Sequence, residues 1–213
     1  MKKIIVGTRN LAKISQIRGA LVGTDIEVVG LPVNVTLPEV EENGLTAQEN
    51  AKKKAMTYAA ALGEVVLSMD NALYFDKLPA EKQPGIKVRR IDPLNDRPTD
   101  QAVSAYYQKL IATLGDRING RWEFAICVAW PDGKMRETTI ISPRIFVSHK
   151  SEKVIDGYPL ESLQIDPTSG KYISEMTRDE QDFFWKKAIG GELKKFVESL
   201  ESVREISTEI SIK

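Results

Sequence analysis

Residues 2–22 read as a strand, a short polar loop and a helix, and that order ties the chain to an α/β architecture. Ile4-Ile5-Val6 is a short apolar run of the kind buried on both faces of a sheet, within a strand over 2–7. Gly7 to Asn10 is a turn. Leu11, Ile14, Ile17 and Leu21 then recur at spacings of three and four, which predicts a helix over 11–22. The start of such a helix presents free N–H groups and a positive dipole end, a favourable place for an anion. Lys13 falls in the first helical turn, and a lysine there suits phosphate better than carboxylate. The loop lacks the Gly-x-x-x-x-Gly-Lys-Ser/Thr spacing of a P-loop. Read alone, it is equally an ordinary strand-to-helix connection with a solvated Lys13.

The alternation continues. A strand is expected near 26–30, a polar loop from Pro32 to Asn43, a helix over 46–62 and a strand over 64–69. Residues 76–99, rich in Pro, Lys, Asp and Arg, read as a long loop. A helix over 100–115 is announced by Thr99 or Asp100 and closed by Gly115. The second half is different: strands over 121–130 and 134–147 flank the turn Pro131-Asp132-Gly133 and form a hairpin. Residues 156–176 show little period. Thr177 to Glu180 is a capping box, and Gly190-Gly191 should break or kink the helix it opens before 192–201. The alternating tail 205–213 could add an edge strand or lack order. The sum is one α/β domain over 1–213 with a mixed sheet and flanking helices.

Lysine plus arginine equals aspartate plus glutamate, 30 each, so neither a broad nucleic-acid surface nor a basic membrane surface is expected. One cysteine, Cys127, rules out an internal disulfide and fits a reducing compartment. One histidine, His149, is too few for a His-rich zinc site, and no serine–histidine–aspartate set stands out. No run approaches ~18 apolar residues and no signal peptide is visible, so a cytoplasmic protein is expected.

Several side chains could carry chemistry. Asp70 follows the strand over 64–69, and ligands bind at strand ends in α/β sheets. A carboxylate there can hold a metal or orient water, or simply cap a turn. Glu42 and Asp70 together would offer hard oxygen ligands for Mg²⁺, which takes one or two carboxylates plus phosphate oxygens. Thr46 and Glu49 have capping-box spacing, and a helix cap is the favoured role for Glu49. Lys52-Lys53-Lys54 reads as a solvated face from which Lys54 could point to a site. Phe183, Phe184 and Trp185 read as core of the C-terminal helix.

Ordered blocks along nearly the whole chain resemble the inosine triphosphate pyrophosphatase family. Thr8-Arg9-Asn10-Leu11-Ala12-Lys13 resembles its Thr/Ser-x-Asn-x-x-Lys signature, and Glu41 to Ala55 resembles its second block. Pro84-Gly85-Ile86 with Arg90, Phe124 to Cys127, Pro167 to Lys171 and Glu175 to Glu180 resemble later ones. The resemblance implies an elongated protein of two lobes with the active-site cleft between them, usually a homodimer, that hydrolyses a non-standard purine nucleoside triphosphate to the monophosphate and pyrophosphate with Mg²⁺. It implies that Thr8, Arg9, Asn10 and Lys13 bind the triphosphate, Lys13 assisting catalysis. Glu42 and Asp70 hold the metal, Asp70 is the general base, and Lys171 contacts the nucleotide. Asn71, Arg90, Tyr158, Lys186 and Lys187 complete the candidate substrate-binding set.

The chain departs from the pattern at three places. The family's Asp-Asp-Ser-Gly is Met69-Asp70-Asn71-Ala72, one carboxylate short, with Asp76 as a distant substitute. Its aromatic-Gly-Tyr-Asp-Pro segment is Tyr158-Pro159-Leu160-Glu161-Ser162, where Tyr158 could stack on a base and Glu161 falls near the lost aspartate. Its Ser-His-Arg is Trp185-Lys186-Lys187, and lysines do not replace directed His and Arg donors. The phosphate end is kept and the base end rebuilt. A nucleotide-binding module with little or no catalysis, or a hydrolase of another phosphate compound, therefore stands as the alternative.

Overall fold

The computed structural model describes residues 2–95 and 97–210. Its centre is one mixed sheet of six strands in the order β2-β1-β3-β4-β5-β6. The strands are β1 Lys2–Val6, β2 Ile26–Gly30, β3 Val66–Phe75, β4 Arg117–Ala129, β5 Met135–Val147 and β6 Gln164–Ile165. β1 runs parallel to β2 and β3, while β3, β4, β5 and β6 pair antiparallel in sequence. The helices are α1 Leu11–Ala20, α2 Ala47–Leu62, α3 Asp100–Leu114, α4 Arg178–Trp185 and α5 Gly191–Ile210.

Alternation along β3 sorts its side chains onto two faces. Leu67 and Met69 face α1, α4 and α5 and join Ile4, Val6, Ile17, Phe124 and Leu193 in one core. Val66 and Ala72 face α2, whose stripe Ala51, Ala55 and Ala59 is fully buried and lets the helix lie close on the sheet. A third cluster seats α3 on the far end of the sheet through Val103, Tyr107 and Ile111 against Phe75, Ile118 and Phe146.

Two strands are longer than the sequence pattern predicts. β3 runs on to Phe75, so Asp70 lies inside it, opposite Ala125 of β4, and not at its end. β4 begins at Arg117 rather than 121. Pairing over thirteen residues with β5 stabilises polar positions that carry no apolar alternation. The helical stretch after Thr177 does not break at Gly190-Gly191. It passes from α4 through a single π turn, Lys186–Gly190, into α5. Gly190 is there for contact: a Cβ on it would lie 2.4 Å from the Ala20 carbonyl oxygen. α5 continues through Ile210, so 205–210 is helix instead of an edge strand, and 211–213 lie outside the described residues. Phe184 and Trp185 are core as expected, whereas Phe183 is 70% exposed.

Candidate active site

The site follows from an inequality of strand lengths. β1 pairs with β3 only at Ile5–Val66 and Val6–Leu67 and then leaves the sheet, Gly7 N–H donating to the Leu67 carbonyl at 2.8 Å. Gly7 is needed at that exit, since a Cβ would meet Ser68 Oγ at 2.2 Å. Beyond that point β3 has no strand partner on that side until Gly85 bridges to Leu73, so its edge is open from Ser68 to Ala72. Lys13, arriving on the first turn of α1, fills the opening: its Nζ donates to the Met69 carbonyl at 3.3 Å and lies 3.6 Å from Asp70 Oδ1. Asp70 thus stands beyond the end of the parallel strands even though its own strand continues, and the strand-end rule for ligands applies to it.

The other face of Asp70 is set by α2. Asn50 and Lys54 lie four apart on the buried alanine face of that helix, 3% and 6% exposed, so both must find polar partners. Asn50 Nδ2 donates to Asp70 Oδ2 at 3.2 Å, and Lys54 Nζ sits 3.3 Å from Asp70 Oδ1. Lys54 also pairs with Glu42 Oε2 at 3.2 Å, so the two carboxylates converge on one cation. Burial, with the repulsion of Lys54 behind it, pushes the Lys13 ammonium below its usual pKa, against the opposing pull of Asp70 and Glu42. Glu49 caps as expected: its carboxylate accepts the Leu45 N–H at 2.7 Å, and its own N–H donates to Thr46 at 3.1 Å.

The loop before α1 caps itself. Asn10 Oδ1 accepts the N–H of Ala12 at 2.9 Å and of Lys13 at 3.3 Å, and Thr8 Oγ1 accepts the Asn10 N–H at 3.1 Å. Fewer amides are free there than the bare helix start predicts; those of Arg9 and Leu11 meet no acceptor among the described residues. Anion attraction at this end rests more on Lys13 and the dipole than on a row of amides.

These groups open into a cleft of about 510 Å³, a nucleotide-sized volume. Of the residues singled out in the sequence, Thr8, Asn10, Lys13, Glu42, Asp70, Asn71, Arg90 and Tyr158 line it. Arg90 reaches it because Gly85 bridges back to Leu73 of β3, and its Nη2 donates to the Glu42 carbonyl at 3.2 Å. Arg9, Lys171, Lys186 and Lys187 are not among the lining residues. Lys171 pairs with Glu180, Lys187 donates to Thr168 Oγ1 at 3.2 Å, and Arg9 and Lys186 are exposed. Asp76 lies past the end of β3 and is exposed.

The opposite wall contains residues that the sequence did not mark as a site. Trp122 and Phe124 come from β4, Trp185 from the end of α4, and Gln16 and Gln164 are buried amides. Tyr158 OH donates to Gln16 Oε1 at 2.6 Å, and Trp122 Nε1 donates to Gln164 Oε1 at 3.1 Å. Asp100 ties the rim together, pairing with Arg89 at 2.6 Å and accepting the Gly157 N–H at 2.7 Å. The cleft is thus lined both by cationic and acidic groups from β3, α1, α2 and the loops and by aromatic rings from β4, α4 and the segment before β6. Among the described residues no cluster of three or more His, Cys, Asp or Glu side chains could hold a metal by itself. Two convergent carboxylates do match Mg²⁺, which leaves its remaining positions to water and phosphate.

Comparison with known proteins agrees with this architecture. A family model described as the Ham1 family matches residues 4–187. The chain is 30% identical over 186 residues to a dITP/XTP pyrophosphatase of Nitratidesulfovibrio vulgaris, covering 84% of this chain and 87% of that protein. It is 31% identical over 193 residues to the dITP/XTP pyrophosphatase of Brucella melitensis, covering 84% and 81%. The Staphylococcus aureus Ham1 protein superposes with a TM-score of 0.66 at 22% identity, over 93% of this chain and 99% of that one. A HAM1 protein from Coxiella burnetii gives 0.69 at 17%, over 93% and 100%. Fold, ordered sequence blocks and family model coincide, and the chain belongs to the Ham1 family.

Proposed function

We propose that this chain hydrolyses a nucleoside triphosphate to its monophosphate and pyrophosphate, with Mg²⁺ as cofactor. The observation that carries the reading is the placement of Asp70 on the open edge of β3 between Lys13 and Lys54, in a cleft that aromatic rings also line. The curated relatives named dITP/XTP pyrophosphatases support it. Lys13, Asn10 and Arg90 draw the triphosphate to the polar end, and the aromatic wall takes the base. Asp70 accepts the proton of the attacking water. Glu42 and Asp70 would hold Mg²⁺, which supplies neutralisation of the charge on the phosphate chain. Lys54, already between the two carboxylates, keeps them facing each other. A homodimer is part of the proposal, and light scattering should return twice the 23.8 kDa chain mass.

A panel of inosine, xanthosine and standard nucleoside triphosphates, assayed for pyrophosphate with Mg²⁺, tests the reading. Turnover of at least one, abolished in Asp70→Asn, is expected. The second reading, a binding module, is favoured by Met69, which stands buried in the core where the resembled family has a further carboxylate. Calorimetric binding without any turnover would select it.

A further inference from the structure

Three segments that are far apart in sequence meet at Asp100, on the rim of the cleft. One carboxylate oxygen pairs with Arg89 at 2.6 Å, and the other accepts the Gly157 N–H at 2.7 Å. Each segment is anchored again behind that point. Arg89 Nη2 also donates to the Pro98 carbonyl at 3.1 Å, and Tyr107 OH of α3 donates to the Val88 carbonyl at 3.0 Å. The Arg90 N–H donates to the Lys87 carbonyl at 2.8 Å, which folds 87–90 into a turn, and the Arg90 side chain reaches across to the Glu42 carbonyl. On the other side, Gly157 takes a φ of +82°, and its backbone lies against Asn10, the cap of α1: a Cβ would stand 3.2 Å from Asn10 Oδ1. Tyr158, next in the chain, is bonded to Gln16 of α1. An acid in the first turn of α3 would favour the helix dipole with neither contact. An exposed ion pair by itself contributes little. Here the carboxylate is 28% exposed and holds a guanidinium and an amide together, and charge-assisted bonds of this length are the strong kind.

We propose that Asp100 is a positioning residue: it straps the 87–90 turn to the segment at Gly157 and so holds Arg90 where it meets the polyphosphate, without touching the substrate itself. The inference rests on the nucleotide reading of the cleft and adds the contact that keeps its rim in one arrangement. Arg89 is the link and not a ligand. Its guanidinium is engaged with Asp100 and Pro98, so Arg90, its neighbour, is the cation left to the anion. The strap also runs from α3 to α1 through Gly157 and Asn10, so the loop before α1 and Arg90 are held by the same carboxylate. A rim already in place costs less ordering on binding than one that must be assembled. The strap therefore acts on substrate affinity and leaves the chemical step at Asp70 alone.

Steady-state kinetics with inosine triphosphate test it in Arg89→Ala, Asp100→Ala, Asp100→Asn and the double variant Arg89→Ala with Asp100→Ala. Each single variant should raise KM about 10-fold, the loss of a charge-assisted bond, with kcat little changed. The double variant should be no worse than Asp100→Ala, because the two side chains act as one unit. Effects that multiply, an unchanged KM, or a fall in kcat alone overturn the proposal. A lower KM in Asp100→Ala, where Arg89 is released, makes Arg89 a direct ligand and overturns its role as link. Hydrogen exchange reads the same contact without nucleotide. The Gly157 amide should exchange faster in Asp100→Ala and stay protected in Asp100→Asn, whose side-chain oxygen still accepts it. Equal exchange in the wild type and Asp100→Ala means that no strap exists. Thermal melts confirm folding, and Asp100→Asn, nearly isosteric, carries the test should Asp100→Ala not fold. If the wild type turns over no nucleotide, the reading of the cleft fails, and exchange at Gly157 still decides the strap.

Discussion

Asp70 is the residue on which the proposed chemistry turns. Asp70→Asn keeps the size of the side chain and can still meet Asn50, but it cannot take a proton. A loss of roughly 10²- to 10⁴-fold in kcat is expected, together with a lower melting temperature, because Lys13 and Lys54 lose their shared counter-charge. Glu161 carries a different signature, visible in stability. Its folded pKa, about 8, lies above the ordinary glutamate value of about 4.3. Between those values the unfolded chain has released the proton and the folded chain has not, so stability falls as pH rises from about 4 towards 8. Glu161→Gln cannot ionise and lacks that slope. A melting series should show the variant gaining on the wild type across this range. Equal slopes in the two proteins would contradict a buried, uncharged carboxyl. Cys127 invites no such test: it is fully buried, and desolvation pushes its thiol up to about 12.

Among the elements, the unequal lengths of β1 and β3 and the π turn do the most to place side chains. The sequence made β1, α1, α2 and α3 legible because their signals are local: an apolar run, a 3.6-residue period, and Thr46, Thr99 and Gly115 at their ends. The reach of β3 was not legible. Asp70, Asn71 and Tyr74 interrupt the apolar pattern, and only pairing with β4 across the fold holds them extended. The π turn was hidden for the same reason. Gly190 reads as a helix breaker, yet its use is the close approach to Ala20 at the end of α1. Gly190→Ala should therefore cost about 1–3 kcal/mol through overpacking, although alanine is the better helix former. A chemical denaturation midpoint measures it, and a stabilised variant would mean that the contact does not hold. On α2, Asn50 and Lys54 were a readable clue, two polar residues on an alanine face four apart.

At the scale of the molecule, the sheet separates two tasks. Its open edge beside β1 gathers Lys13, Lys54, Glu42 and Asp70, and the hairpin β4–β5 with α4 supplies rings and buried amides. The polar end was recognisable from sequence because its residues sit in compact blocks, Thr8 to Lys13 and Glu41 to Lys54. The aromatic end draws Trp122, Tyr158, Gln164 and Trp185 from separate segments, and no spacing along the chain reveals that they meet. Among the described residues no helix is long and apolar enough to cross a membrane. The most direct test of the whole is phosphorus NMR of inosine triphosphate incubated with the protein and Mg²⁺. Growth of pyrophosphate and nucleoside monophosphate resonances in equal amounts, absent with Asp70→Asn, is the predicted result. Release of orthophosphate with a nucleoside diphosphate, or the same pyrophosphate rate in Asp70→Asn, would contradict it.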